Sequence, residues 1–91
     1  MPINQRRSKI QIVYDLLIAA KQKGRIKPTH LLYKGNLSHA RLKEYIDELL
    51  QKKLLVKLSD DGKTYYKLTE QGVKFIYDIE KMREITEAFG L

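Results

Sequence analysis

The residues most able to do chemistry lie in one short stretch that contains Ser38, His39, Arg41 and Lys43. Arginine and lysine donate hydrogen bonds to phosphate oxygens and to the O6 and N7 acceptors of guanine. Serine is a favoured N-cap residue, and the N–H groups at a helix start attract anions. If Ser38 begins a helix, its first turns therefore combine several groups suited to a polyanion.

Further groups of the same kind lie around this stretch. Two arginines precede the first predicted helix, a lysine and an asparagine come just before Ser38, and two lysines lie on a predicted hairpin. We expect these six residues to contact phosphates as well: Arg6, Arg7, Lys34, Asn36, Lys57 and Lys63.

Positive charge is concentrated in the first three quarters of the chain. The whole sequence has 18 Lys and Arg residues against 11 Asp and Glu. Residues 1–69 have a charge balance of +9, whereas residues 70–91 have −2. This asymmetry favours a basic body that binds a polyanion and a C-terminal segment with another role. A solvated, lysine-rich surface explains the charge alone equally well.

Motifs of other chemistries are incomplete. The two histidines are nine residues apart and the chain has no cysteine, so we expect no metal site. Ser38, His39 and Asp47 have the residue types of a catalytic triad but lack a nucleophile elbow. The Gly-Lys-Thr sequence at 62–64 has no first glycine of a phosphate-binding loop and precedes a strand. We therefore expect no enzyme activity, no cofactor and no small-molecule ligand.

The six tyrosines could form a stacking platform for single-stranded nucleic acid. Four of them fall on apolar faces, where core packing is the simpler use, and Tyr65 and Tyr77 are left open. The four assigned to packing are Tyr14, Tyr33, Tyr45 and Tyr66.

Nothing in the sequence indicates a membrane segment or a secretion signal. No stretch approaches the roughly 18 apolar residues that a membrane span needs. Asp15 interrupts the one candidate apolar stretch near the N-terminus, and no cleavage site follows. We expect a cytoplasmic, nucleoid-associated protein.

Apolar periodicity predicts three helices in the first half of the chain. The first follows Ser8 and runs to about Lys21, and residues 25–27 could form a very short strand. The second covers about 29–34 and is stopped by Gly35. The third, capped by Ser38, buries one face made of Leu42, Tyr45, Ile46, Leu49 and Leu50. The break of three residues between the second and third helices is typical of a helix-turn-helix.

Residues 54–68 alternate like a β-hairpin. A three-residue loop at 60–62 pairs Val56 with Tyr66 and produces one apolar face, whereas a two-residue loop would place Val56 opposite Lys67 and mix the faces. We therefore predict the three-residue loop. The side chains then expected to point outward are Lys57, Tyr65 and Lys67.

Thr69 should cap a final helix from Glu70 to about Phe89, which would be roughly 30 Å long. Its apolar residues follow a heptad-like spacing, and a small domain cannot easily bury the last of them alone. We therefore predict a homodimer, with a helix folded across its own domain as the alternative. The predicted dimerisation residues are Phe75, Ile79, Met82, Ile85 and Phe89.

The order helix, short strand, helix, helix, hairpin, helix predicts an α+β, mostly α fold: a winged helix-turn-helix with a long C-terminal helix. Residues 1–69 would be the DNA-binding domain and residues 70–91 the helix with a dimerisation role. In this architecture the recognition helix, residues 38–52, enters the major groove by its N-terminus, and the wing, residues 54–68, contacts the flank. Carboxylates further along the recognition helix repel phosphate, so only its first one or two turns should enter.

Three segments also resemble a known family: "KIQIVYDLLIAA", "KPTHLLYKGNLSHARLKEYIDELLQKKLL" and "YYKLTEQGVKFI". They look like archaeal winged-helix proteins that include the ten-kilodalton DNA-binding proteins of crenarchaea. The resemblance implies binding of double-stranded DNA and a dimer formed by an antiparallel coiled coil of the final helix. Lys53 departs from the pattern, because many winged helices have glycine before the hairpin.

The sequence thus predicts a double-stranded DNA-binding protein, either a transcription regulator or a chromatin-type architectural protein. The alternative is a winged helix used for protein–protein assembly, whose basic surface meets an acidic partner.

Overall fold

Four helices and one hairpin make up the computed structural model, which describes residues 7–91. The elements are α1 (Lys9–Lys23), α2 (Pro28–Gly35), α3 (His39–Gln51), β1 (Leu55–Asp60), β2 (Lys63–Leu68) and α4 (Glu70–Ala88). The predicted element order is confirmed. Of the short strand expected at 25–27, one antiparallel bridge is present, between Ile26 and Tyr66. No helix within the described range is both long and apolar enough to cross a bilayer.

The hydrophobic core is built around α1, which packs against α2, α4 and β2. Leu16 and Leu17 of α1 are completely buried, as is Leu31 of α2. Ile76 of α4 belongs to the same cluster and is 2% exposed. The first half of α4 therefore closes the core formed by the residues before position 70.

A side-chain oxygen caps the start of three helices. Ser8 accepts a hydrogen bond from the Gln11 backbone N–H and Thr69 accepts one from Gly72, as Ser38 does at α3. The Gln11 side chain also accepts a hydrogen bond from the Ser8 N–H, which completes a capping box. Each such cap stabilises its helix by about 1 kcal/mol. The caps fix the starts of the helices at the predicted positions.

The corner between α2 and α3 is a Schellman motif with asparagine as the left-handed residue. The Leu37 N–H bonds to the Leu32 carbonyl at 3.3 Å, and the Asn36 N–H bonds to the Tyr33 carbonyl at 3.2 Å. Asn36 has φ 52° and ψ 51°. Gly35 is the last helical residue and serves packing instead, because a Cβ there would lie 2.9 Å from Leu16 Cδ2.

The predicted hairpin register is wrong. The loop has two residues, and β1 pairs with β2 so that Val56 lies opposite Lys67 and Lys57 opposite Tyr66. Asp61 and Gly62 have φ values of 53° and 75°, as a type I′ turn requires. A type I′ turn matches the right-handed twist of the two strands. The other register was favoured because it would place all apolar side chains on one face, but little is gained by that arrangement since Val56 is 43% exposed.

Two features bring α4 close to the hairpin. Lys53, where the winged-helix resemblance led us to expect glycine, has φ 62°, and the N–H of its neighbour Leu54 donates a hydrogen bond to the Leu49 carbonyl at 2.9 Å. Gly72 lies against the Leu54 carbonyl oxygen, since a Cβ at Gly72 would be 2.4 Å from that atom. The glycine thus permits a helix-to-backbone approach that no side chain allows.

Candidate nucleic-acid interface

The tip of α3 is exposed, as the sequence predicted. Ser38 Oγ accepts a hydrogen bond from the Arg41 N–H at 3.2 Å, so the side chain is occupied as a cap. His39, Arg41 and Lys43 are all exposed. The first turn therefore presents basic side chains and helix N–H groups together.

Helix geometry divides the exposed part of α3 into a centre and two flanks. Leu42, Ile46 and Leu49 are buried, and at 100° per residue Glu44 and Asp47 lie on the opposite side. Arg41 falls on the flank nearer the start of α1, and Lys43 falls on the flank nearer the hairpin. The side chains that line the depression on the α1 side are Lys9, Arg41, Glu44, Tyr45 and Glu48.

On the wing side, a cleft separates α3 from the hairpin. Because the register differs from the prediction, Lys57 lines this cleft beside Tyr66. Lys43 forms an ion pair with Asp47 at 2.8 Å, and this hydrogen bond raises the pKa of the Lys43 ammonium. Burial raises the pKa of the Tyr66 hydroxyl. The complete lining is Pro28, His39, Leu42, Lys43, Ile46, Asp47, Leu50, Lys57 and Tyr66.

On the α1 side, the last carboxylate of α3, that of Glu48, is paired with two lysines. Glu48 accepts a hydrogen bond from Lys9 at 2.9 Å and lies 3.4 Å from Lys52. The hydrogen bond from Lys9 is the main reason why the pKa of Glu48 is lowered. Arg41 lies over the Tyr45 ring at 5.8 Å from its centroid, within reach of a cation–π interaction. Glu48 thus repels an approaching polyanion less than its formal charge implies.

The wing is braced by an arginine that the sequence left unassigned. Arg25 stacks 4.1 Å from the centroid of Tyr65 and forms an ion pair with Asp60 at 2.9 Å. This contact gives Tyr65 a structural use. Lys63 begins β2 at the tip and is exposed. Within residues 7–91, neither Lys63 nor Lys57 takes part in an ion pair.

Of the two N-terminal arginines predicted to contact phosphates, the structure describes only Arg7. Arg6 lies outside the described residues. Arg7 forms an ion pair with Asp15 and donates a hydrogen bond to the Gly35 carbonyl oxygen. Its side chain therefore joins position 7 to α1 and to the last residue of α2, where it supports the corner before α3.

Helix α2 exposes one aromatic residue that the sequence assigned to packing. Tyr33 is 80% exposed, beside the exposed Lys34 and three residues before Asn36. Tyr33 follows Leu31 by two residues, or 200° around the helix, so the burial of Leu31 could have predicted this exposure. Tyr33 adds a hydroxyl donor beside the basic surface at the corner.

The predicted dimerisation residues fall into two groups. Ile79 is 8% exposed and Phe75 packs partly against the core, so both already serve their own domain. Met82, Ile85 and Phe89 are 60%, 48% and 76% exposed. The second half of α4 thus carries an uncovered apolar strip.

Comparisons with known proteins agree with this fold. A family model described as winged helix-turn-helix matches residues 6–87. No curated protein matches the chain. Sso10a-2, a DNA-binding protein from Sulfolobus solfataricus, superposes with a TM-score of 0.79 at 22% identity, over 91% of this chain and 85% of that one.

Two further solved structures are similar. F93 from STIV, a winged-helix DNA-binding protein, has a TM-score of 0.70 at 19% identity, over 87% of this chain and 92% of that one. The transcriptional regulator BldR from Sulfolobus solfataricus has a TM-score of 0.73 at 13% identity, over 88% of this chain and 60% of that one. This chain thus spans under two thirds of BldR. At these identities the structures establish the fold, and the match over residues 6–87 establishes the family. The chain belongs to the winged helix-turn-helix family.

Proposed function

We propose that this protein binds double-stranded DNA, as a transcription regulator or as a chromatin-type architectural protein associated with the nucleoid. The N-terminal turns of α3 enter the major groove, and the wing contacts the flanking backbone. The observation that carries the proposal is the exposed tip of α3 with basic side chains on both flanks, in a chain of the winged helix-turn-helix family. Sso10a-2 and F93, which share this fold, are DNA-binding proteins.

The positions of the lysines support the wing contact. Lys57 faces the cleft beside α3, and Lys63 is exposed at the hairpin tip. Lys34 is exposed at the end of α2, before the corner. Since DNA backbones lie on both sides of the major groove, cations on both flanks of α3 are placed to contact them.

The test is a titration of duplex DNA by gel shift or fluorescence anisotropy at several salt concentrations. If about six side chains per subunit contact phosphates, log K should fall with log salt at a slope near −5. Affinity should then drop about 10³-fold between 50 and 200 mM salt. A slope near zero would contradict the proposal.

Two substitutions separate base contacts from phosphate contacts. Arg41→Ala should weaken binding and relax sequence preference, because Arg41 can donate to guanine. Lys63→Ala should weaken binding about equally on all sequences. Lys74→Ala, on the exposed surface of α4, removes one positive charge elsewhere and serves as the control. If the Arg41→Ala/Lys63→Ala double variant bound DNA with wild-type affinity, the tip of α3 and the wing would not be the surface that contacts DNA.

The rival function, assembly with an acidic protein partner, gives a different result in the same titration. Binding to duplex DNA that persists at 150 mM salt supports the DNA-binding proposal. Loss of all duplex binding at that salt concentration favours the assembly function.

The dimer is part of the same proposal. Its support is the strip formed by Met82, Ile85 and Phe89, which continues into an apolar groove between α4 and the start of α1 that contains Ile10. Ile10 is itself 46% exposed. A second copy of α4 would cover the strip, and the dimer would present two recognition helices to one DNA molecule.

Light scattering, which measures the molar mass in solution, tests the proposed dimer. Met82→Glu combined with Phe89→Glu should give monomers, because two carboxylates would be buried in the interface. Tyr77→Glu is a matched control, since Tyr77 is 59% exposed on the same helix but faces away from Met82. A dimer that survives both substitutions would show that the two subunits do not associate through this strip.

A further inference from the structure

We propose that Glu44 determines sequence preference by accepting a hydrogen bond from the N4 amino group of a cytosine in the major groove. This inference rests on the proposed function and names the base that the recognition helix selects. Glu44 is one of the carboxylates of the recognition helix that were expected only to repel phosphate.

The position of Glu44 is the first support. Glu44 is exposed and lies opposite the buried side of α3, in the second helical turn after the Ser38 cap. Arg41 and Lys43 lie on its two flanks. When α3 docks with its exposed side toward the bases, the Glu44 side chain points to the floor of the groove, between Arg41 and Lys43.

The ion pairs of α3 are the second support. Asp47 is paired with Lys43, and Glu48 with Lys9 and Lys52. Among the acidic residues of α3, which all lie in the described part of the chain, Glu44 is the one without an ion pair. Its negative charge is therefore available to a ligand.

The base chemistry selects cytosine. In the major groove guanine presents the acceptors O6 and N7 and thymine presents O4, and all three repel a carboxylate. Adenine has an N6 amino donor, but its N7 acceptor lies alongside. Cytosine presents its N4 amino group as a donor, and Glu and Asp side chains accept from it.

Glu44→Gln gives the sharpest test, because glutamine keeps the size of the side chain and prefers a different base. Glutamine can both donate and accept, and so it bonds to N7 and N6 of adenine. Duplexes bound by the wild type and by Glu44→Gln would be selected from a random pool and sequenced. We expect one position of the selected site to change from cytosine to adenine.

Affinities for the two selected duplexes make the result quantitative. The cytosine-to-adenine change should weaken wild-type binding by about 5- to 150-fold, and Glu44→Gln should reverse the order. Glu84→Gln, an exposed position on α4, makes the same charge change away from α3 and should select the same sites as the wild type.

The possible failures are distinguishable. If Glu44→Gln binds every sequence more tightly by the same factor and selects unchanged sites, Glu44 is only a repulsive neighbour and the inference is overturned. A wild type that binds duplex DNA without any sequence preference also overturns it, while the proposed function stands. A wild type that binds no duplex DNA overturns the proposed function as well.

Discussion

Replacing Gly72 with alanine tests the close approach of α4 to the hairpin. The new Cβ would lie 2.4 Å from both the Leu54 carbonyl oxygen and Leu68 Cδ1. The carbonyl cannot move easily, because it accepts a hydrogen bond from the Thr69 N–H at 3.2 Å, and the Thr69 hydroxyl, which is 2.7 Å from the Lys53 carbonyl, shares its proton with it at 3.1 Å. Relief of the clash therefore requires α4 to shift away from the hairpin.

Two opposing effects set the magnitude. Alanine is favoured over glycine inside a helix by about 1 kcal/mol. Overpacking costs about 1–3 kcal/mol, and a clash with backbone belongs at the upper end of that range. The free energy of unfolding should therefore fall by about 2 kcal/mol, which lowers Tm by roughly 8–16 °C in a domain of this size.

Urea and thermal unfolding followed by circular dichroism measure this change. Gln71→Ala is the control, since Gln71 is exposed in the same helical turn and should change the unfolding free energy by under about 0.5 kcal/mol. If Gly72→Ala were as stable as the wild type or more stable, helix propensity would outweigh the clash, and the argument from close approach would fail.

Three further predictions follow from single contacts. Lys53→Gly should raise the unfolding free energy by about 0.5–1 kcal/mol in urea unfolding, because it relieves a positive φ; an unchanged midpoint would contradict this. Asp47→Asn should release Lys43 from its ion pair and steepen the salt slope of DNA binding by about 0.9, and an unchanged slope would show that Lys43 contacts no phosphate. The lowered pKa of Glu48 means that its contribution to stability is present above its usual pKa and is lost as the pH falls through the lowered value. Lys9→Ala should move that pKa upward in an NMR titration, and no movement would show that the Lys9 contact is absent in solution.

Local signals predicted the helices well. Ser8, Ser38 and Thr69 each cap the helix that the sequence assigned to them, because a hydroxyl at a helix start depends only on residues within one turn. The position of the corner between α2 and α3 was also predicted from the sequence. Gly35, which was predicted to stop α2, is its last residue and lies close to Leu16, and the left-handed residue is Asn36. The contact of Gly35 with Leu16 joins residues far apart in the chain, which no local pattern encodes.

The hairpin register shows where pattern analysis failed. Alternation of apolar residues was given priority over the Asp61-Gly62 turn, yet the turn determined the register. The apolar criterion is strong only where one face of a hairpin is fully buried, and here Val56 is largely exposed. Lys57 is exposed, as expected, but the observed register pairs it with Tyr66, so it lines the cleft beside α3. The candidate site was thus predictable in its helix but not in its wing.

Arg7 shows why basic residues cannot be assigned to DNA by position alone. The sequence predicted that Arg7 contacts DNA phosphates, but in the structure its guanidinium contacts both Asp15 and the Gly35 carbonyl. A planar guanidinium can donate to two acceptors at once in fixed directions, whereas the lysine ammonium is a point charge on a flexible stem. Arg7→Lys therefore keeps the charge but loses one of the two contacts.

The two roles predict different outcomes for Arg7→Lys. If Arg7 supports the corner, the variant should lose about 1 kcal/mol of unfolding free energy while its salt slope of DNA binding stays unchanged. Lys34→Arg, which also keeps the charge and lies on the exposed end of α2, should change neither. Unchanged stability together with weaker DNA binding would instead assign Arg7 to the DNA backbone. Because Arg7 bonds to the last residue of α2, the first outcome would mean that the orientation of α3 depends on a residue outside the helix-turn-helix itself.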